Sequence, residues 1–207
     1  MFPIKKLVLP KDMAQIPNGE VPASLLGNIK PYGQVHHKAA RCWEAMRQAA
    51  LVDGLELSHV GALRTLKEQQ SLFKQRYSLK DEGRTPTITR KYEGKTWFLK
   101  KNCSPAGTPG TSKHGFAVAI DVCAVINKKN VGLGSAPKHV AWLKSNAEIY
   151  GWSWEVADPR NPEFEIWHMI CFDADNLPPA VTETVLTIPA ATKVQRPTRK
   201  EKKGKKA

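Results

Sequence analysis

Ser112-Lys113-His114-Gly115-Phe116-Ala117-Val118-Ala119-Ile120-Asp121, running on through Val122-Cys123-Ala124-Val125-Ile126, is the stretch on which the reading of this chain turns. From Phe116 to Ile126 it is apolar almost throughout, which predicts a strand buried on both faces and therefore central in its sheet. A second segment, Glu165-Ile166-Trp167-His168, adds another imidazole and another carboxylate among apolar neighbours. Imidazole nitrogen and carboxylate oxygen are donors that zinc accepts in catalytic sites, where three protein ligands leave a fourth position open. Residues three or seven apart on a regular strand face opposite ways. His114 is therefore expected in the loop before its strand, and a bulge or strand end at Glu165 and His168.

Working outward, 207 residues suffice for one ordinary domain with a proper core, and a hydrophobic content of 41% with six tryptophans marks the chain as globular. No apolar run approaches the roughly 18 residues of a membrane span. The start, Met1 to Pro10, has its apolar residues broken by Lys5 and Lys6 and bounded by proline, which predicts synthesis in the cytoplasm without a signal peptide. The formal charge is +13, but residues 193–207 hold eight basic residues and one acid, a net of +7, leaving +6 for the other 192. Such a lysine-rich end cannot pack, and is expected to be a flexible arm drawn to anionic wall polymer or another polyanion, or simply a solubilising tail. Cys42, Cys103, Cys123 and Cys171 form no C-x-x-C pair, so buried free thiols are expected.

Three regions follow: an extended, Pro- and Gly-rich arm over 1–34, a domain over 35–180 and the basic tail over 181–207. Within the domain, spacing predicts helices from Val35 to Leu51, Leu66 to Tyr77 and Pro137 to Tyr150. Strands are predicted at Leu57–Leu63, Phe116–Ile126, Trp152–Glu155 and Phe164–Phe172, with a hairpin over Thr87–Leu99 turning at Glu93-Gly94. Helices first and strands later, without regular β-α-β alternation, favour an α+β fold: one domain, an antiparallel sheet with helices packed on it. Arg64 falls at a strand-to-helix junction, where side chains commonly reach into a site. His36, His37, His59 and His139 read as surface or structural residues, and Asp158 as a residue shaping the cleft.

The pattern Ser112-x-His114-x-x-x-x-Ala119-x-Asp121, followed by Glu165-x-Trp167-His168, closely resembles the VanY-type D-alanyl-D-alanine carboxypeptidases and the related L,D-endopeptidases of many phage lysins. These are zinc peptidases of the same group as the hedgehog domain. Ala62-Leu63-Arg64-Thr65 with Gln69 or Gln70 resembles that family's arginine-bearing strand end, and the resemblance spans about residues 35 to 173. It implies that His114, Asp121 and His168 bind one Zn2+ per chain and that Glu165 is the catalytic base. It further implies that Arg64 meets the scissile carbonyl or a substrate carboxylate, and that Ser112 supports the site by hydrogen bonding. Trp167 would wall the site. Ala117 stands where the family usually has glycine, and Ile166 where proline often stands.

The expected function is zinc-dependent hydrolysis of a peptidoglycan stem-peptide bond involving a D-amino acid, by a monomer acting at the bacterial cell wall, with a phage-encoded wall hydrolase as one setting. Carboxypeptidase and L-Ala-D-Glu-type endopeptidase activity both remain open. That choice depends on whether a cation such as Arg84, Arg90, Lys91 or Lys100 awaits a terminal carboxylate. Glu163 is the rival base. A non-catalytic zinc-containing module that binds cell wall or nucleic acid is the alternative from another class.

Overall fold

Turn chemistry sets the order of elements in the computed structural model, which describes residues 1–182. After short 3-10 turns at Lys11–Met13 and Ala23–Leu25, strands β1 (Leu26–Asn28) and β2 (Gln34–His36) form a small ribbon leading into helix α1 (His37–Val52). Strand β3 (Glu56–Gly61), helix α2 (Leu66–Arg76) and the short β4 (Tyr77–Ser78) follow, then the hairpin β5 (Thr89–Tyr92) and β6 (Lys95–Leu99). The chain continues through β7 (Ala119–Ile126), β8 (Lys129–Gly132), α3 (Pro137–Asn146), β9 (Trp152–Ser153) and β10 (His168–Cys171). No helix among the described residues is long and apolar enough to cross a membrane.

The main sheet runs β3-β7-β10-β9, with β8 also on β7, and every pairing between these strands is antiparallel. The expected α+β class and the central place of the apolar strand are thus observed. Helix α1 packs on this sheet because Ala39, Cys42, Trp43, Met46 and Ala50 recur on one face and are buried. Trp43 stands at the centre of that core, edge-on to His59 and Trp152, with its indole N–H donating to the Lys30 carbonyl at 3.1 Å. A second, smaller core gathers Phe73, Tyr77, Ile88, Leu99 and Ala106 between α2 and the hairpin. That hairpin turns at Glu93-Gly94, both at positive φ (50° and 71°), the mirror-image turn whose twist suits paired strands.

Several expectations need correction. The last strand is shorter than its aromatic alternation suggested: only His168–Cys171 pairs, while Glu165–Trp167 is a turn whose Trp167 carbonyl accepts from Val122 N–H at 2.8 Å. His36 is not a surface residue. It is wholly buried, caps α1 by accepting from Lys38 N–H, and meets Asp12 at 3.0 Å. The amino-terminal arm is tied into the domain by bridges from Ile4 to Trp154 and Val8 to Asp173. All but the first two residues of the expected basic tail lie outside the described residues.

Trp43→Ala should cost about 3–5 kcal/mol, because it empties the centre of the main core and strands the Lys30 carbonyl. Urea unfolding of the two proteins measures the difference.

Candidate metal centre

Strand register brings the first two candidate ligands together: Asp121 on β7 is paired with His168, the first residue of β10, on one side and with Gly61 of β3 on the other. An irregularity between His59 and Gly61 re-aims the end of β3 at this point. A side chain at Gly61 would collide with the Asp121 carboxylate, so the glycine supplies the space the carboxylate occupies.

His114 arrives from the turns before β7, as parity requires. Its Nδ1–H donates to the Ala62 carbonyl at 2.7 Å, which fixes the tautomer and leaves Nε2 facing Asp121 Oδ1 at 3.3 Å. The loop carrying His114 is clamped by the amino-terminal arm. Asn18 Nδ2 donates to the Ser112 carbonyl at 2.7 Å, and Gly19 N–H donates to the Gly115 carbonyl at 2.8 Å. Gly115 has no side chain to hold Asn18 away. Gly19 also accepts from Leu66 N–H, joining this loop to the first turn of α2.

His168 places Nδ1 at 3.3 Å from the same Asp121 oxygen and Nε2 at 3.0 Å from Glu155 Oε2. The β9–β10 register, continued by two residues, sets Glu155 opposite His168. One donor atom from each of His114, Asp121 and His168 lies within 4.8 Å of the others, and both imidazoles have an acceptor on their outer nitrogen. This donor set and its supporting partners fit zinc.

Electrostatics agree with the geometry. Burial opposes ionisation of Asp121, but the adjacent imidazoles of His114 and His168 outweigh it and hold the carboxyl far below the usual range. Burial lowers the His114 pKa, which favours the neutral ring a metal requires. His168 goes the other way. Burial disfavours its charged form, yet Asp121 and Glu155 push its pKa up to about 9, so metal binding there displaces a proton.

A cavity of about 370 Å³ opens over these residues, and Arg64, Ser112, Glu165 and Trp167 all line it. The capping box of α2, in which Thr65 and Glu68 each accept the other's backbone N–H, fixes the turn immediately after Arg64. The guanidinium donates to Gln69 Oε1 at 2.7 Å, and Gln69 in turn donates to the Gly107 carbonyl. Gln69, and not Gln70, is thus the partner that holds Arg64. Burial raises the Glu165 pKa, with Asp121 adding to the effect and His168 opposing it. The rival Glu163 is engaged by Arg90 at 2.8 Å. Ser112 joins the network through its carbonyl, which accepts from Asn18 and from Gly115 N–H.

Of the four candidate cations, Arg90 lines this cavity and Arg84 a neighbouring one. Lys91 donates to Thr96, and Lys100 to the Lys74 and Gln75 carbonyls. Asp158 binds Arg160 and lies off the cavity. Glu155, Arg76 and Asn18 escaped sequence reasoning. Glu155 had one signal, an acid closing an apolar strand, whereas nothing in sequence ties Asn18 to a loop almost a hundred positions away. A second cluster, Asp12, His36 and His37, is a poorer cation site: the Lys38 ammonium is 3.6 Å from Asp12, and both His36 nitrogens are engaged.

A family model described as VanY, D-alanyl-D-alanine carboxypeptidase, matches residues 33–172. Among solved structures, a zinc complex of a mutant VanY D,D-pentapeptidase from a VanB-type vancomycin resistance cassette is similar. It has 18% identity and a TM-score of 0.51, with 87% of this chain and 92% of that chain covered. VanYB in complex with D-alanine-D-alanine aligns over 87% of this chain and 96% of that one, also with 18% identity and a TM-score of 0.51. The LD-carboxypeptidase LdcB, described in terms of peptidoglycan recognition, has 20% identity and a TM-score of 0.56, with 80% and 74% covered. At these identities the likeness is one of fold. Curated protein sequences give no match.

Glu155→Ala removes the acceptor that orients His168 and should weaken zinc binding about 10–100-fold while the fold persists. Competition with a chromogenic chelator, alongside a thermal melt, measures both quantities.

Proposed function

The chain belongs to the VanY family of D-alanyl-D-alanine carboxypeptidases, and from that premise we propose that it is a zinc-dependent peptidoglycan peptidase hydrolysing a stem-peptide bond that involves a D-amino acid. One observation carries the reading: three convergent metal donors share a single cavity with a half-buried carboxylate of raised pKa and a guanidinium held in place by Gln69. A purely structural metal site, or a non-catalytic module, requires neither Glu165 nor Arg64 in that cavity. The D-alanine-D-alanine bound by VanYB and the LD-carboxypeptidase named in LdcB support the same class of substrate. Action at the bacterial cell wall goes with this substrate, and the net +7 of residues 193–207 suits attraction to anionic wall polymer.

In this mechanism His114, Asp121 and His168 would hold one zinc ion, which when bound would supply Lewis acidity and lower the pKa of a bound water. Glu165, poised by its raised pKa, takes the proton of the attacking water and returns it to the leaving amine. Arg64 faces the same space and stabilises negative charge developing on the carbonyl oxygen. Trp167 and Phe164 line the cavity beside Glu165 and limit water around the reacting bond.

Glu165→Gln should retain zinc and lose about 10²–10⁴ in turnover. Arg64→Gln should lose about 10²–10³. Mass spectrometry of digested peptidoglycan reads both, and also separates release of a single terminal residue from cleavage within the stem. Unchanged digestion by Glu165→Gln would remove the assigned base. Because Glu165 must be ionised to accept a proton, kcat/KM should fall with decreasing pH through a value above the ordinary glutamate pKa of 4.5. A pH–rate profile locates that limb.

A further inference from the structure

A second cavity, of about 650 Å³, adjoins the first and shares Pro105, Phe164, Glu165 and Trp167 with it. A chain bound at the metal centre can therefore continue past the base into this space. Arg84 and Lys101 line the part not shared with the first cavity, and among the described residues Glu165, at the shared wall, is the only acid that lines it.

Among the described residues no acid pairs with Arg84. Its Nη1 donates to the carbonyls of Cys103 at 2.9 Å and Lys100 at 3.3 Å, and its Nε is buried with no partner among the described residues. Carbonyl dipoles fix the guanidinium's place but leave its charge uncompensated. Arg90, by contrast, is matched with Glu163 at 2.8 Å. Lys101 lies in the turn that follows Lys100, with its backbone N–H on Glu82 at 3.3 Å and its side chain exposed. A fixed guanidinium beside a lysine, facing a groove without a paired acid, suits a carboxylate.

We propose that this second cavity is a carboxylate-recognition subsite, with Arg84 as its principal cation and Lys101 as its second, acting on the substrate beyond the bond that is cut. The inference rests on the peptidase reading for the identity of the bound chain. Stem peptides offer the chemistry from two sources, the terminal carboxylate and the acidic side chains. A terminal carboxylate in this subsite implies carboxypeptidase action, and an internal one implies recognition along the stem.

The test uses zinc-loaded, full-length Glu165→Gln protein and isothermal titration calorimetry with three synthetic stem peptides. One has all carboxylates free, one has the terminal carboxylate amidated, and one has the side-chain carboxylates amidated. Amidating the recognised group should weaken binding about fivefold or more at low salt, and which peptide weakens identifies the source. Adding Arg84→Gln should abolish the difference, while Arg84→Lys should restore part of it. Equal binding of the three peptides overturns the subsite whatever the variants do, and so does an undiminished preference in folded Arg84→Gln protein. Turnover by the unsubstituted chain is measured in parallel. Charge-dependent binding without any cleavage keeps the subsite and removes the peptidase reading, whereas cleavage without charge preference does the reverse.

Discussion

The carboxylate of Asp121, half-buried on the central strand of the main sheet, is the constraint to which the surrounding structure answers. A buried charge costs several kcal/mol unless it is paired and hydrogen-bonded. Here one oxygen lies 3.3 Å from each of two imidazoles, while the Arg64 guanidinium stands 3.9 Å from the other. Meeting those distances requires Gly61 beneath the carboxylate, a break in β3 register before it, and β10 starting at His168 and no earlier. The geometry that keeps the charge stable at the cavity floor is the same geometry that offers donors to a metal.

The two cores divide the remaining work. The main core, centred on Trp43 and packed around α1, fixes β7 and β10 and with them Asp121 and His168. The smaller core around Phe73 and Tyr77 supports the opposite wall, where α2 presents Arg64 through Gln69 and where Arg76 and Arg90 line the cavity. The arm crosses between these halves. Asn18 and Gly19 tie the His114 loop to the start of α2, so residues outside the family-matched span contribute to the placement of a candidate ligand.

Sequence periodicity revealed α1, α2, the β5–β6 hairpin and the central β7, because each has a one-sided or two-sided apolar pattern closed by a turn residue. The candidate ligands were legible through motif spacing, and their parity correctly placed His114 before its strand. What stayed hidden depends on partners distant in sequence. Glu155 reaches His168 only through β9–β10 register, and His36 is buried only because Asp12 comes to meet it. Ala117, noted for standing where relatives have glycine, adopts φ 55° with its methyl fully buried. Replacing it with glycine would trade left-handed strain of about 1 kcal/mol against a similar gain from burial, a balance no sequence pattern discloses.

The metal centre is tested most directly by anomalous X-ray scattering at the zinc edge from crystals of the purified protein grown with zinc. The expected result is one zinc per chain, bonded to His114 Nε2, an Asp121 oxygen and His168 Nδ1 at about 2.0–2.2 Å. No zinc at this position, or zinc held by Asp12, His36 and His37 in its place, would contradict it.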